Sequence, residues 1–130
     1  MTKGVKSKEF GCFWKSMMLV SLCYPEKIDR KNKKHLKKMQ SIKTYIETLQ
    51  DVLPCKYCRC FMKKILIKKY PIDYSGRINL MHSIYVWKDL VTKKLQNQGH
   101  IVKNSPPFKV ILKKYEKYYA KCDAKTSSCV

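Results

Sequence analysis

The chain has 130 residues, with 29 Lys plus Arg against 9 Asp plus Glu, a formal charge of +20. That length predicts one domain, and a hydrophobic content of 45% excludes a chain too polar to build a core. The longest apolar run, Met17-Met18-Leu19-Val20, is far short of the roughly 20 residues of a membrane span, and Lys15 and Ser16 break the first apolar stretch in a way that argues against a signal peptide.

In chain order, residues 11–24 read as a mostly buried helix stopped by Pro25. From Lys31 to Val52, Leu36, Met39, Ile42, Ile46 and Leu49 recur at intervals of three and four. That spacing predicts an amphipathic helix with a lysine-coated outer face. Pro54 opens a third helix, running from Cys55 through Phe61, Met62, Ile65 and Leu66 to Tyr70 and ended by Pro71. Residues 79–96 carry Leu80, Ile84, Trp87, Val91 and Leu95 on one stripe, a fourth helix. After a polar loop from Gln96 to Pro107, Phe108 to Cys122 forms a fifth, shorter helix. The expected fold is all-α, a four-helix bundle with a fifth short helix across one end, occupying residues 1–122. Residues 123–130 are expected to form a flexible tail.

The charge is made of 26 Lys and only 3 Arg, spread over every segment. Specific reading of bases and phosphates favours the planar guanidinium fork, so nucleic acid is not the favoured partner. Most of these lysines are expected on solvated helix faces.

The cysteines say more. They stand at 12, 23, 55, 58, 60, 122 and 129, an odd number, so at least one is unpaired in a monomer. Pro54-Cys55-Lys56-Tyr57-Cys58 is a CxxC at a predicted helix start. There the helix dipole, Lys56 and Arg59 favour a Cys55 thiolate, and two sulfurs one turn apart can close a reversible disulfide. The competing chemistry is a zinc half-site, Cys55, Cys58 and Cys60 completed by His35 or His82. A second ligand pair at finger spacing is missing, which favours redox. A thioredoxin fold is excluded because a long helix, and not a strand, leads into the CxxC. Cys12 and Cys23 read as buried small hydrophobes, and Cys60, two residues beyond Cys58, is expected to point elsewhere.

A tryptophan helix ending in Tyr-Pro, a long helix, Pro-Cys-x-x-Cys and then an aromatic helix resembles the ERV/ALR family of FAD-linked sulfhydryl oxidases, in particular the short divergent members carried by large DNA viruses. Trp14, Met18, Tyr24 and Pro25 fall at the spacings of the family's first helix, with Met18 where the family has His. Counted on from Cys58, His82 and Trp87 fall where the family has Trp and His, and Lys88, Leu90 and Val91 fall on its Asn-x-Val-Asn.

The resemblance implies FAD in the mouth of the bundle, with Cys55 as the interchange thiol and Cys58 as the more buried sulfur facing the flavin. It also implies cofactor contacts from Trp14, Met18, Tyr24, His82, Trp87, Lys88, Val91, Lys94 and Tyr115, with Tyr119 a further aromatic candidate. Thiol-containing protein substrates, dioxygen reduced to hydrogen peroxide, and a homodimer follow from the same source. Cys122 and Cys129 would be shuttle cysteines. The implied location is the host cytoplasm or a virion, or otherwise the mitochondrial intermembrane space. Two rival expectations are a non-enzymatic basic helical module, zinc-stabilised and binding nucleic acid or an acidic partner, and a family member that has lost flavin.

Overall fold

The structure, a computed structural model, describes residues 7–119. It is all-helical, with no strand among the described residues. Helix α1 spans Ser7–Ser21 and α2 spans Lys33–Val52. Helix α3 opens as Lys56–Phe61, passes through a π-helical turn at Met62–Leu66 and closes as Ile67–Lys69. Helix α4 spans Arg77–Asn97 and α5 spans Phe108–Glu116. No described helix is long and apolar enough to cross a membrane.

Local chemistry sets the boundaries. Asn32 caps α2, its side-chain oxygen accepting from the Lys34 and His35 amides at 2.9 and 3.3 Å, a bond worth about 1 kcal/mol. Pro54 disfavours helical backbone at the residue before it, and Leu53 is extended (φ −56, ψ 138) where α2 stops. The fifth helix ends at Glu116, short of the expected Cys122, which lies outside the described residues together with Cys129 and the expected boundary at 122/123.

The core forms where the apolar stripes meet. Ile46 of α2 and Leu80, Met81, Ile84 and Trp87 of α4 are almost fully buried, beside Met17, Met18 and Leu22 of α1. Each such side chain contributes about 1.5–3 kcal/mol of burial. Helix α1 packs chiefly on α4, and α2 on α3. The expectation of a mostly buried α1 is corrected: Leu19 and Val20 are 46% and 38% exposed, and Cys12 and Cys23 are exposed too.

The turn after α1 is stitched to the turn before α4. The Arg77 amide donates to the Pro25 carbonyl at 3.0 Å and the Ile28 amide to the Ser75 carbonyl at 2.8 Å. The Tyr24 hydroxyl donates to the Tyr74 carbonyl at 2.6 Å. A Cβ on Gly76 would collide with the Glu26 carbonyl, so only glycine allows this approach.

Candidate functional site: the CxxC and a lysine-rimmed cleft

The proline that ends α2 also presents Cys55. Extended backbone at Cys55 (φ −110, ψ 118) makes it the N-cap of α3, and its Sγ accepts from the Cys58 amide at 3.3 Å. Cys58, one turn on, packs against the hydrophobic core. Arg59 donates from Nη1 to the Leu53 carbonyl, which holds its guanidinium beside the start of α3. Both cysteines are free thiols.

The environment separates the two thiols. Burial pushes Cys55 upward, but the Cys58 thiol, the Cys58 and Tyr57 amides and the Arg59 charge outweigh it and hold Cys55 below the ordinary thiol range. Cys58 is pushed up to about 12, first by burial, then by its contact with the Cys55 sulfur and repulsion from it, with Lys94 acting in the opposite direction. The Lys94 ammonium stands 4.4 Å from the Tyr57 ring centroid and 3.8 Å from that of Phe61. The result is an outer thiol that ionises more readily than an ordinary one and an inner thiol that ionises less readily.

A second feature lies between α1, α4 and α5. It is a cleft of about 90 Å³, walled by Trp14, Met18, Ile84, Tyr85 and Tyr115 and rimmed by Lys15, Lys88 and Lys114. Lys88 is exposed as a whole residue, yet enough protein surrounds its ammonium that burial holds it below the usual lysine range, and Lys114 and Lys15 push it further down. Ser105 Oγ is buried in the wall with no hydrogen-bond partner. The nearby Asp89 carboxylate, paired with Lys93 at 2.9 Å, is close enough to feel that hydroxyl but lies outside bonding geometry.

The sequence-predicted residues thus divide. Cys55, Cys58 and Lys94 meet at the start of α3. Trp14, Met18, Lys88 and Tyr115 meet at the cleft. Trp87 stands inside the core, 2% exposed, its indole N–H donating to the Tyr70 carbonyl at 2.6 Å, so neither ring face is open to a ligand. Tyr24 is buried likewise at 1%. Val91 is half-buried against the core. His82 is exposed and meets Phe108 edge-on at 5.0 Å. His35 accepts the Asp29 amide at 3.0 Å through Nδ1. Among the described residues, no three His, Cys, Asp or Glu converge as a metal site would require. Tyr119 is exposed under the Arg77 guanidinium, 4.2 Å away.

Two cysteine expectations need correcting. Cys12 is exposed, not a core residue. Cys23 is exposed and disulfide-bonded. The other described cysteines are free. Cys60 is exposed, whereas Cys58 packs against the core. Compared with family models, with curated proteins and with solved structures, the chain matches none.

Sequence reasoning missed Lys15, Tyr85, Ser105 and Lys114 at the cleft, and the place of Lys94. For Lys94 a signal was available: it follows the buried Trp87 by two helical turns and so shares its face.

Proposed function

We propose that the protein is a thiol oxidase of the ERV/ALR kind. It would form disulfides in other proteins through Cys55 and Cys58, with FAD as electron acceptor and dioxygen as terminal oxidant. The observation that supports this reading is the division of labour within the CxxC: a low-lying Cys55 thiol on the outside and a high-lying Cys58 thiol against the core.

A substrate thiolate attacks Cys55 Sγ of the oxidised pair. The Cys55–Cys58 bond breaks and its electron pair remains on Cys58. The substrate's second thiolate then attacks its own sulfur in the mixed disulfide, and Cys55 leaves as the thiolate its amide contacts stabilise. The balance is one substrate dithiol oxidised and one CxxC disulfide reduced. When bound, FAD supplies the two-electron acceptor chemistry that restores the disulfide.

The cleft carries the kinds of side chain that group needs, but neither room for it nor Cys58 in its wall. Trp14, Met18 and Tyr115 would pack its rings, and Lys88 with Lys15 and Lys114 would neutralise its phosphates. Its 90 Å³ is well below the roughly 300 Å³ at which ligand pockets begin, so loading requires α5 to stand away from α1. In this reading the helices form the family's four-helix bundle with a short fifth helix. The exposed Leu19 and Val20 of α1 offer a face for a homodimer. The host cytoplasm or a virion is the proposed location, where disulfides must be made against a reducing pool.

The small cleft also favours a second reading, a flavin-free protein that only exchanges disulfides. Purification separates the two. A yellow protein that releases flavin on denaturation and consumes oxygen when given dithiothreitol is expected. Colourless protein that still exchanges disulfides supports the second reading, and protein inert in both assays refutes both.

A further inference from the structure

We propose that Lys94 is the charge partner of Cys58 during disulfide exchange, receiving the negative charge that appears on Cys58 Sγ when the Cys55–Cys58 bond breaks. This rests on the exchange chemistry proposed above and not on flavin or oxygen.

The placement is specific. Tyr57 and Phe61 are four residues apart on α3 and so are neighbours on one face, with Cys58 between them in sequence. The Lys94 ammonium lies over both rings, at 4.4 and 3.8 Å from their centroids, which holds a flexible side chain by cation–π attraction. Gln98, the residue that caps the end of α4, donates from Nε2 to the Tyr57 hydroxyl at 3.4 Å and steadies the nearer edge of that platform. The adjacent Lys93 shows the contrast: it is fully engaged by Asp89 at 2.9 Å. Among the described residues the only ion pairs are Lys93–Asp89 and Lys63–Asp51, so no described carboxylate answers Lys94. Burial holds the Lys94 ammonium below the usual lysine range, and the groups near enough to work against that, once ionised, are the Cys58, Cys60 and Cys55 thiols.

A half-buried ammonium without a carboxylate is costly unless something nearby carries negative charge. In the step at issue a substrate thiolate bonds to Cys55 Sγ, the disulfide bond breaks, and the electron pair stays on Cys58 Sγ. A leaving thiol that resists ionisation leaves slowly, and Cys58, buried against the core, is such a thiol. Lys94 offsets this at the atom where the charge develops. It can also hand that sulfur a proton and regain one from solvent, which closes the balance.

The test uses the full chain with its CxxC oxidised, in a Cys60→Ser background so that the thiol two residues from Cys58 does not compete, and glutathione as the attacking thiol. Lys94→Gln is expected to slow reduction on the order of tenfold, the scale of one near-surface charge contact, while Lys94→Arg stays within about threefold of the parent because the charge is kept. Phe61→Leu keeps the lysine and loosens its seat; it should fall between them, and it carries the test if Lys94→Gln does not fold. Reduction of Lys94→Gln and Phe61→Leu at the parental rate overturns the proposal. So does Lys94→Arg falling as far as Lys94→Gln, which would mark a role in shape alone. Oxygen uptake is scored separately: a chain that consumes no oxygen yet shows the Lys94 dependence loses the oxidase reading and keeps this one.

Discussion

Two sites on α4, less than two turns apart, bring lysine and aromatic rings together and use them in opposite ways. At the start of α3, the Lys94 ammonium rests on Tyr57 and Phe61 and faces thiols that can carry negative charge. At the cleft, Lys15, Lys88 and Lys114 face one another, and repulsion adds to burial in holding the Lys88 ammonium down. The first site supplies its own counter-charge. The second stores an electrostatic deficit that an outside anion would relieve. A formal charge of +20 therefore does not describe one uniform surface: where a lysine sits decides whether it serves the chain's own chemistry or waits for a guest.

The largest effect is expected at the first site. Cys58→Ser should bring dithiothreitol oxidation, followed by oxygen uptake, below detection; activity equal to the parent refutes the role assigned to Cys58. At the second site, Ile84→Ala removes a side chain that is both core and cleft wall. Urea melts should show a loss of about 2–4 kcal/mol, and the widened cleft should bind flavin at least as well as the parent. Gly76→Ala serves as the control remote from both sites, because its added methyl meets the Glu26 carbonyl. It should cost about 1–3 kcal/mol in thermal melts while glutathione exchange at 25 °C is unchanged.

Alkylation by iodoacetamide, followed by mass spectrometry against pH, sharpens the contrast within the CxxC. Cys55 should react below the pH range of an ordinary thiol, whereas Cys58, pushed up to about 12, should stay unmodified until strongly alkaline pH. The smallest effect belongs to Lys114→Gln. The Lys88 ammonium is lowered in the folded chain, so the unfolded chain holds that proton more tightly, and stability rises with pH from the lowered value to the ordinary one. Removing Lys114 should flatten this rise and stabilise the neutral-pH protein by a few tenths of a kcal/mol.

Much of the helical layout was legible in the sequence, because prolines and the three–four spacing are local signals. Pro25, Pro54 and Pro71 mark breaks the fold obeys, and Ile42, Ile46 and Leu49 are buried as their spacing predicts. The π turn at Met62–Leu66 was not legible, since one extra residue in a helix of mixed Lys and Ile leaves no period to detect. The exposure of Leu19 and Val20 was hidden for another reason: hydrophobicity alone does not say how many neighbours a helix has. The CxxC could be read, but the division between its thiols depends on the packing of Cys58 and on Lys94, which is 36 residues away in sequence. The cleft escaped notice because it is closed by the loop before α5 folding back, and Ser105 carries no signal of its own.

That loop is anchored at two points. The Gln96 side-chain amide donates to the Val102 carbonyl and to Asn104 Oδ1 at 2.9 and 2.8 Å, and the Tyr85 hydroxyl donates to the Pro106 carbonyl. Breaking the Tyr85 bond alone would free the start of α5 while Asn104 stays pinned. Four residues of extended chain then span at most about 14 Å, so the loop acts as a leash. Its length, more than the strength of the α1–α5 packing, caps the thickness of any guest the cleft can admit without unthreading the fold.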